Sequence, residues 1–211
     1  MALEASQIYP GCETFSAEFD DDGVYFYQAY NSEIADYAIE HQKLGGANYN
    51  TERMTWIKPS FAWVLFRSGY GKKHNQNRVL KIKLSHESVA TLLSQCKCKH
   101  GGGGSLGRVQ WDPARDLWTS EGREPRKITR QKAIQIGLKG RLNKLYVESI
   151  LSIDDATLLC HRVHDAHSRK SVEVKEEMEK IKSDLPIERT YLPKCSPVNL
   201  MKLKLLPMES L

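Results

Sequence analysis

The stretch RMTWIKPSFAWVLFRSGYG, residues 53–71, combines aromatic side chains and cations at high density. Five of its nineteen residues are aromatic, whereas the aromatic fraction of the whole chain is 9%. The aromatic residues are Trp56, Phe61, Trp63, Phe66 and Tyr70, and the cations are Arg53, Lys58 and Arg67. A buried helix would explain the aromatic residues but would not by itself call for the cations. A site for a flat, anionic ligand would explain both.

The second half of this stretch has the pattern of a buried helix. Pro59 suits a first turn, Gly69 suits a helix end, and apolar residues lie on nearly all sides between them. We therefore expect Phe61, Val64 and Leu65 to be core residues. The residues just before the helix are harder to bury, so they are the better site candidates: Arg53, Thr55, Trp56 and Lys58.

The remaining elements are predicted from hydrophobic periodicity and from turn and capping residues. Strands are expected at residues 24–30, 78–85, 108–113 and 132–140, with Asp112-Pro113 ending the third of them. Helices are expected at residues 31–44, 86–96 and 157–183, and residues 141–157 predict a helix or a helix–strand pair. A polar, basic connection is expected at residues 119–131. The pattern predicts an α+β (mixed α/β) fold, with a compact antiparallel or mixed sheet flanked by helices.

The length of 211 residues fits one well-packed domain. We expect a globular core domain at residues 1–165 and a charged helix at residues 166–184. A proline-containing tail, docked or loosely ordered, is expected at residues 185–211. Residues 170–183 carry acidic and basic side chains at helical spacing.

Composition and charge limit the classes of protein to consider. The net charge is +5, which is compatible with an anionic partner, although an ordinary solvated basic surface is the simpler interpretation. No run approaches the roughly twenty apolar residues of a membrane span, and the N-terminus lacks the pattern of a secretory signal. Five scattered cysteines fit a reducing compartment. We therefore expect an intracellular protein, cytoplasmic or nuclear, with no membrane partner.

Several familiar motifs are absent or incomplete. The glycine run GGGGSLG, residues 101–107, is not followed by the Lys-Ser/Thr of a phosphate loop, so a flexible linker is the simpler interpretation. Cys96, Cys98 and His100 do not have the usual zinc-ligand spacing, and we expect no metal. Neither a GxSxG elbow nor an HExxH motif is present.

Polar side chains instead occur within or at the ends of apolar strands. These are Gln28 and Tyr30, Gln110 and Asp112, and Gln135. A buried amide must find hydrogen-bond partners. The side chains therefore either bond to neighbouring groups of the protein or line one cleft, and the sequence leaves both alternatives open.

Several of these segments resemble, in the same order along the chain, a family of short proteins known as a domain of unknown function. The residues that carry this resemblance are YQAY with the following EIA, the block RMTWIKPSFAWVLFRSGYG, RVQWDP and IQIGLKG. The resemblance covers roughly residues 24–157, with the charged helix and the tail outside it. The long aromatic block is its most specific part. The family name implies no activity.

A more distant likeness is to the ADP-ribosyltransferase fold. Strand 24–30 and its helix are similar to the opening of that fold, residues 78–84 to its middle strand, and residues 133–155 to its last motif. This likeness implies binding of NAD, with Gln28 in place of a His or Arg and Gln135 in place of a Glu. Both positions depart from the family pattern. A binder without activity, or a transferase with an unusual acceptor, is therefore implied.

The likeness gives a set of expected roles. The expected catalytic residues are Gln135, Gln28 and Tyr30. The residues expected to bind NAD are Arg53, Trp56, Lys58, Arg67 and Tyr70, with the cations on the pyrophosphate and an aromatic ring on the nicotinamide. Contacts to a nucleic-acid or protein acceptor are expected from Gln110, Asp112, Lys72 and Lys73.

Two other functions remain open at this point. A non-catalytic nucleic-acid-binding or RNA-processing module would use the same cations and aromatic rings to contact phosphates and bases. A structural or interaction domain would use the charged helix at residues 170–183 and would bind no small ligand. The sequence does not indicate the oligomeric state.

Overall fold

Strands and helices alternate along most of the chain. The computed structural model describes residues 11–98 and 105–205. The strands are β1 (Ser16–Ala17), β2 (Gly23–Tyr30), β3 (Thr55–Ile57), β4 (Arg78–Ser85), β5 (Lys97–Cys98), β6 (Gly107–Glu121), β7 (Glu124–Leu138), β8 (Ile150–Asp155) and β9 (Arg189–Thr190). The helices are α1 (Ser32–His41), α2 (Phe61–Ser68), α3 (His86–Ser94), α4 (Arg141–Glu148), α5 (Thr157–His167), α6 (Ser171–Lys180) and α7 (Pro197–Lys202).

The strands form three open sheets within the described residues. One sheet has the order β2-β4-β8, the second β3-β7-β6-β5, and the third β1-β9. All pairs are antiparallel except β5 with β6. The first two sheets meet where the Tyr27 amide donates to the Lys58 carbonyl at 2.7 Å. The fold is therefore a single mixed α/β domain, as the sequence predicts.

Strand β4 shows how alternation in the sequence sets the burial of this domain. Leu80, Ile82 and Leu84 are fully buried, whereas Lys81 and Lys83 are partly exposed on the other face. Successive strand residues point to opposite faces, so one face of β4 lies against the core. The prediction of a strand at residues 78–85 is confirmed.

Helix α2 is the buried helix that the aromatic stretch predicts. Phe61, Val64 and Leu65 are each at most 2% exposed. The helix ends at Gly69, whose φ of 58° lies in the left-handed region that favours glycine. Pro59 precedes the N-cap, so the prediction that it lies in the first turn is wrong.

The region from residue 107 to residue 138 differs from the prediction. Asp112-Pro113 does not end the third strand, because β6 continues to Glu121 and pairs with β7 in one long hairpin. Pro113 is tolerated because the register shifts beside it, between Pro113 and Arg115. The turn uses Gly122 and Arg123, which both have positive φ, at 58° and 69°. The expected polar connection at residues 119–131 is therefore wrong.

The C-terminal part also differs from the prediction. A single helix at residues 157–183 is wrong, because α5 ends at His167 and α6 begins at Ser171. Met178 of α6 is fully buried. Beyond it, β9 pairs with β1, and the segment contributes Tyr191 and Leu203 to the core. The C-terminal segment up to residue 205 is thus docked on the body.

Candidate functional site

Gln28 lies on β2 and is 4% exposed. Its side-chain nitrogen donates to Thr55 Oγ1 at 2.8 Å and to the Trp56 carbonyl at 3.2 Å. Its side-chain oxygen accepts a hydrogen bond of 2.6 Å from the Tyr146 hydroxyl. The amide thus has both N–H groups and its carbonyl engaged by the protein. Gln28 thus fixes the backbone that carries Trp56. For its amide, bonding to neighbouring groups of the protein is the alternative that the structure shows.

Helix α4, which carries Tyr146, has a second buried polar side chain, Asn143, that holds the loop before β3. Asn143 is fully buried and accepts a hydrogen bond of 2.6 Å from the Tyr49 hydroxyl. Its side-chain nitrogen donates to the carbonyls of Thr51 and Arg53, at 3.3 and 3.4 Å. Burial raises the pKa of Tyr49 to about 12, so its hydroxyl keeps its proton at neutral pH. Asn143 therefore sets the path of the backbone at exposed Arg53.

Trp56 is packed against the backbone of β7. It pairs with Gly137 in the antiparallel ladder, and a Cβ atom built on Gly137 would lie 2.8 Å from the Trp56 ring and 2.9 Å from Met54 Sδ. Only a glycine leaves room for the ring at this position. The glycine of IQIGLKG and the tryptophan of WIKPSF thus form one packed unit, and Trp56 remains half-buried.

Lys58 follows β3 directly, and its ammonium group is largely buried although part of its side chain is exposed. The ammonium donates to the Trp56 carbonyl at 3.2 Å and lies 4.9 Å from the centre of the Trp63 ring. Burial lowers the pKa of Lys58 to about 8. The positive charge of Arg67 adds to this effect, and the negative charge of Asp112 opposes it. Lys58 forms no salt bridge within the described part of the chain.

Asp112 is held by two amides of the β6–β7 hairpin. Gln110 donates to Asp112 Oδ1 at 3.1 Å, and Gln135 donates to Asp112 Oδ2. Gln110 and Gln135 are directly opposite in the ladder, and Asp112 lies two residues along β6. These three side chains therefore lie on one face of the hairpin. Gln135 is 9% exposed.

These groups line a series of adjacent cavities, which we call the groove. The inner cavity, about 350 Å³, is lined by Trp56, Lys58, Arg67, Asp112 and Gln135, among others. The central cavity, about 210 Å³, shares the walls formed by Trp56, Lys58 and Arg67. A loop cavity of about 530 Å³ follows, and an outer cavity of about 470 Å³ lies next to it.

The groove brings together most of the residues that the sequence singles out. The inner and central cavities are lined by Gln28, Tyr30, Trp56, Lys58, Arg67, Gln110, Asp112 and Gln135. Arg53 lines the loop cavity, where Tyr30 also lies, and Lys72 and Lys73 line the outer cavity. Tyr70 lies elsewhere. It is 3% exposed and packs in an apolar cluster with Phe61 and Val163, and its hydroxyl is 2.9 Å from His167 Nδ1.

Sequence reasoning missed the supporting residues. Tyr146 and Asn143 are three apart on α4, and both are fully buried. Polar residues on the buried face of a helix indicate a hydrogen-bonded network, and this signal was present in RLNKLYVE. Gln76 and Met54, which also line the central cavity, carry no such signal in the sequence.

Metal-ligand clusters and membrane-spanning helices are both absent from the described residues. Within residues 11–98 and 105–205, no group of three or more His, Cys, Asp or Glu side chains is arranged to hold a metal ion. His100 of the Cys96, Cys98 and His100 set lies outside the described residues. No helix in the described ranges is long and apolar enough to cross a membrane.

The comparison with known families extends the resemblance on which the sequence analysis relied. No curated protein matches the chain, and nothing in the comparisons supports the likeness to ADP-ribosyltransferases. A family model matches residues 14–191. The match includes α6, which the sequence analysis placed outside the resemblance. The chain belongs to the family described as Domain of unknown function (DUF4291).

Proposed function

We propose that the groove binds NAD or a closely related nucleotide. The observation that carries this proposal is the presence of Lys58 and Arg67 in the cavities lined by half-buried Trp56, with Arg53 in the adjoining loop cavity. None of the three cations forms a salt bridge with a described residue. Cations on a groove wall favour phosphate groups, and an indole face favours a flat ring.

Each part of the ligand has a counterpart in this proposal. Arg67 and Lys58 contact the pyrophosphate from the wall shared by the inner and central cavities, and Arg53 contacts phosphate from the loop cavity. Trp56 stacks on the nicotinamide. Tyr30 is an alternative stacking residue, because it lines both the central and the loop cavity. Tyr70 has no part in binding, since it lines none of these cavities.

A transferase step is the finer part of the proposal. The bond between nicotinamide and C1 of the ribose would break, and its electron pair would leave with nicotinamide. An acceptor oxygen or nitrogen would form the new bond to C1 and lose its proton to solvent. Gln135 would orient the ribose. Gln28 would act through Thr55 and Trp56, because its own amide is engaged by the protein.

A second candidate function is nucleic-acid binding by the same groove. The observation that favours it is the outer cavity, where Lys72 and Lys73 continue the line of cations. The two functions differ in their response to salt. Affinity for a nucleic-acid backbone falls steeply as the salt concentration rises, whereas affinity for a dinucleotide changes much less.

The test is thermal unfolding of the protein with NAD, NADP, ADP-ribose, ATP and a short single-stranded RNA. A ligand at a hundredfold excess over its Kd adds about 2.7 kcal/mol to the free energy of unfolding. We expect stabilisation by NAD and ADP-ribose, lost in Arg67→Gln and weakened in Gln135→Ala. The control Lys43→Gln changes an exposed cation outside the groove and should leave the stabilisation intact.

Three outcomes separate the interpretations. Stabilisation by NAD that depends on Arg67 supports the proposal. Stabilisation by RNA alone, lost at high salt, would replace it with nucleic-acid binding. An unchanged unfolding temperature with every ligand would contradict both and would leave the aromatic block as core.

A further inference from the structure

Lys58 lies on the wall that the inner and central cavities share. The two cavities have Trp56, Lys58 and Arg67 in common among their lining residues. The carbonyl of Lys58 accepts a hydrogen bond of 2.7 Å from the Tyr27 amide of β2, which fixes the backbone at this position. The amine of Lys58 is therefore carried by the sheet, and a site built on strands is more precise than one built on a loop.

The ammonium group of Lys58 has few partners. It donates one hydrogen bond of 3.2 Å, to the Trp56 carbonyl, and it lies 4.9 Å from the centre of the Trp63 ring. An ammonium group has three N–H donors. Two of them thus lack an acceptor within the described part of the chain, although the group is largely buried. An arrangement of this kind suits a group that reacts or binds a ligand better than one that serves the fold.

The surroundings of Lys58 favour its neutral form. Burial and the charge of Arg67 lower the pKa of Lys58 to about 8, against the opposing effect of Asp112. At pH 7 about one Lys58 side chain in ten is then a neutral amine, compared with fewer than about one in a thousand for an ordinary lysine. The neutral amine is the nucleophilic form of lysine, and it attacks carbonyl carbons.

We propose that Lys58 is a nucleophile that forms an imine with a small anionic carbonyl compound, an aldehyde or 2-oxo acid, held in the groove by Arg67. The guanidinium of Arg67 lines the same two cavities and can donate two parallel hydrogen bonds to a carboxylate. The cavities of about 350 and 210 Å³ have room for a compound of this size. This activity goes beyond nucleotide binding and does not require it.

The reaction needs no oxidant or reductant. Lys58 first loses a proton to solvent, and the lone pair of its Nζ then forms a bond to the carbonyl carbon. The electrons of the C=O π bond move to the oxygen, which takes up a proton to give a carbinolamine. Loss of this oxygen as water, with the second proton of the nitrogen, leaves the C=N bond. Asp112 lies on the wall of the inner cavity and balances the charge of a protonated imine.

The experiment measures lysine modification at pH 7 by glyoxylate, which carries an aldehyde and a carboxylate, and by acetaldehyde, its neutral counterpart. Sodium cyanoborohydride reduces each imine to a stable amine, and peptide mass spectrometry gives the rate at each lysine. Lys43, which is exposed and lies outside the groove, is the reference within the same protein. We expect glyoxylate to modify Lys58 at least about tenfold faster than Lys43.

Arg67→Gln tests the anion site. This variant also changes the protonation of Lys58, so the quantity to compare is the ratio of the glyoxylate rate to the acetaldehyde rate at one lysine. In wild-type protein this ratio should be about fivefold higher at Lys58 than at Lys43, as expected for a single charge pair. The two ratios should be equal in Arg67→Gln. Arg67→Lys keeps the charge and should keep most of the difference.

Each part of the proposal has a result that overturns it. A glyoxylate rate at Lys58 no higher than at Lys43 would overturn the nucleophile and leave Lys58 as a packing partner of Trp63. Equal ratios at the two lysines in wild-type protein, or a difference that persists in folded Arg67→Gln, would overturn the role of Arg67. Thermal unfolding shows whether each variant is folded. Because labelling needs no nucleotide, a failure of NAD to bind would leave these results unaffected.

Discussion

Two sets of cations in this domain have opposite surroundings. On β4, Arg78 contacts both Asp36 and Asp155 at 2.5 Å, Lys81 contacts Glu18 at 2.8 Å, and Lys83 contacts Asp20 at 2.8 Å. In the groove, Arg53, Lys58 and Arg67 form no salt bridge with any described residue. The cations of the first set form salt bridges within the chain, and those of the second set do not.

The difference separates charges that serve the fold from charges that do not. Exposed Arg53 and Arg67 cost little when unpaired, because water solvates them. Lys58 is different, since burial of its ammonium lowers its pKa to about 8. A lysine whose pKa is lower in the folded state reduces stability at neutral pH. The binding role proposed for the groove would give such a charge a purpose beside Trp56 and Arg67.

The largest expected effect comes from Gly137→Ala, which disturbs the groove without changing any charge. The new methyl group would lie 2.8 Å from the Trp56 ring and 2.9 Å from Met54 Sδ. We expect the free energy of unfolding to fall by about 3 kcal/mol through overpacking. NAD binding should weaken at least tenfold. Urea unfolding and calorimetry measure the two effects.

Gly107→Ala is the matched control. Its methyl group would lie 2.8 Å from Cys96 Sγ and from Leu142 Cδ1, at a position that lines none of the groove cavities. It should lower stability by a similar amount and leave NAD affinity unchanged. Equal loss of affinity in both variants would mean that binding follows stability and not the position of Trp56.

The next largest effect on stability is expected at Glu188. This residue contacts the start of α2, the helix that carries Arg67, and it lies near Glu18, the partner of Lys81. Its Oε1 accepts a hydrogen bond of 2.7 Å from the Phe61 amide at the start of α2, and the nearby Glu18 pairs with Lys81. Burial raises the pKa of Glu188 from 4.5 to about 7. Its contribution to stability is therefore full below pH ~4.5 and is lost as the pH rises through about 7.

Glu188→Gln keeps the oxygen that accepts from Phe61 and removes the charge. We expect it to be about 2 kcal/mol more stable than wild type at pH 8 and to lack the wild-type decline between pH 5 and 8. Urea unfolding at several pH values measures this difference. Glu188→Ala, which removes the acceptor, should be less stable than Glu188→Gln at every pH. If stability still falls between pH 5 and 8 in Glu188→Gln, Glu188 is not the group responsible for the decline.

Lys58→Met tests the unpaired cation directly. We expect the free energy of unfolding at pH 7 to rise by about 1 kcal/mol, because a poorly solvated charge is removed. The gain should shrink as the pH rises from about 8 to 10.5. In this range folded wild-type protein has lost the Lys58 proton, whereas the unfolded chain still holds it. NAD affinity should fall in the same variant. A loss of stability at pH 7 would show that the charge is well accommodated.

The smallest effect is expected from the paired cation Lys81, changed in the same way. Lys81→Met removes a partner of Glu18 and should lower the free energy of unfolding by about 0.5 kcal/mol. It should leave NAD affinity unchanged. The free energy of unfolding should therefore rise in Lys58→Met and fall in Lys81→Met. A gain in stability from Lys81→Met would contradict the distinction between cations that form salt bridges and cations that do not.

The sequence predicts local elements better than long-range pairing. Strand β4 and helix α2 follow from alternation, glycine and apolar residues that lie close together in the chain. The long hairpin does not, because Asp112-Pro113 and the polar residues 119–131 have the composition of loops. Its pairing depends on a register shift beside Pro113 and on a turn at Gly122 and Arg123.

The groove shows the same difference between local features, which the sequence predicts, and long-range contacts, which it does not. The sequence singles out Trp56, Lys58 and Gln135 by residue type, but not the contacts between them. The fit of Trp56 over Gly137, and the hold of Tyr146 on Gln28, join segments that are far apart in the chain. Contacts of this kind are set by tertiary packing, and one sequence carries little signal for them.

The most direct test is a titration of NAD followed by NMR of the ¹⁵N-labelled tryptophan indoles. The chain has four tryptophans, and two of them, Trp56 and Trp63, line the inner cavity. Trp111 donates its indole N–H to the Leu203 carbonyl at 3.0 Å, and Trp118 is exposed on the hairpin. We predict that the Trp56 and Trp63 signals move and that the other two do not. Movement of Trp118 alone, or no movement at saturating NAD, would contradict nucleotide binding in the groove.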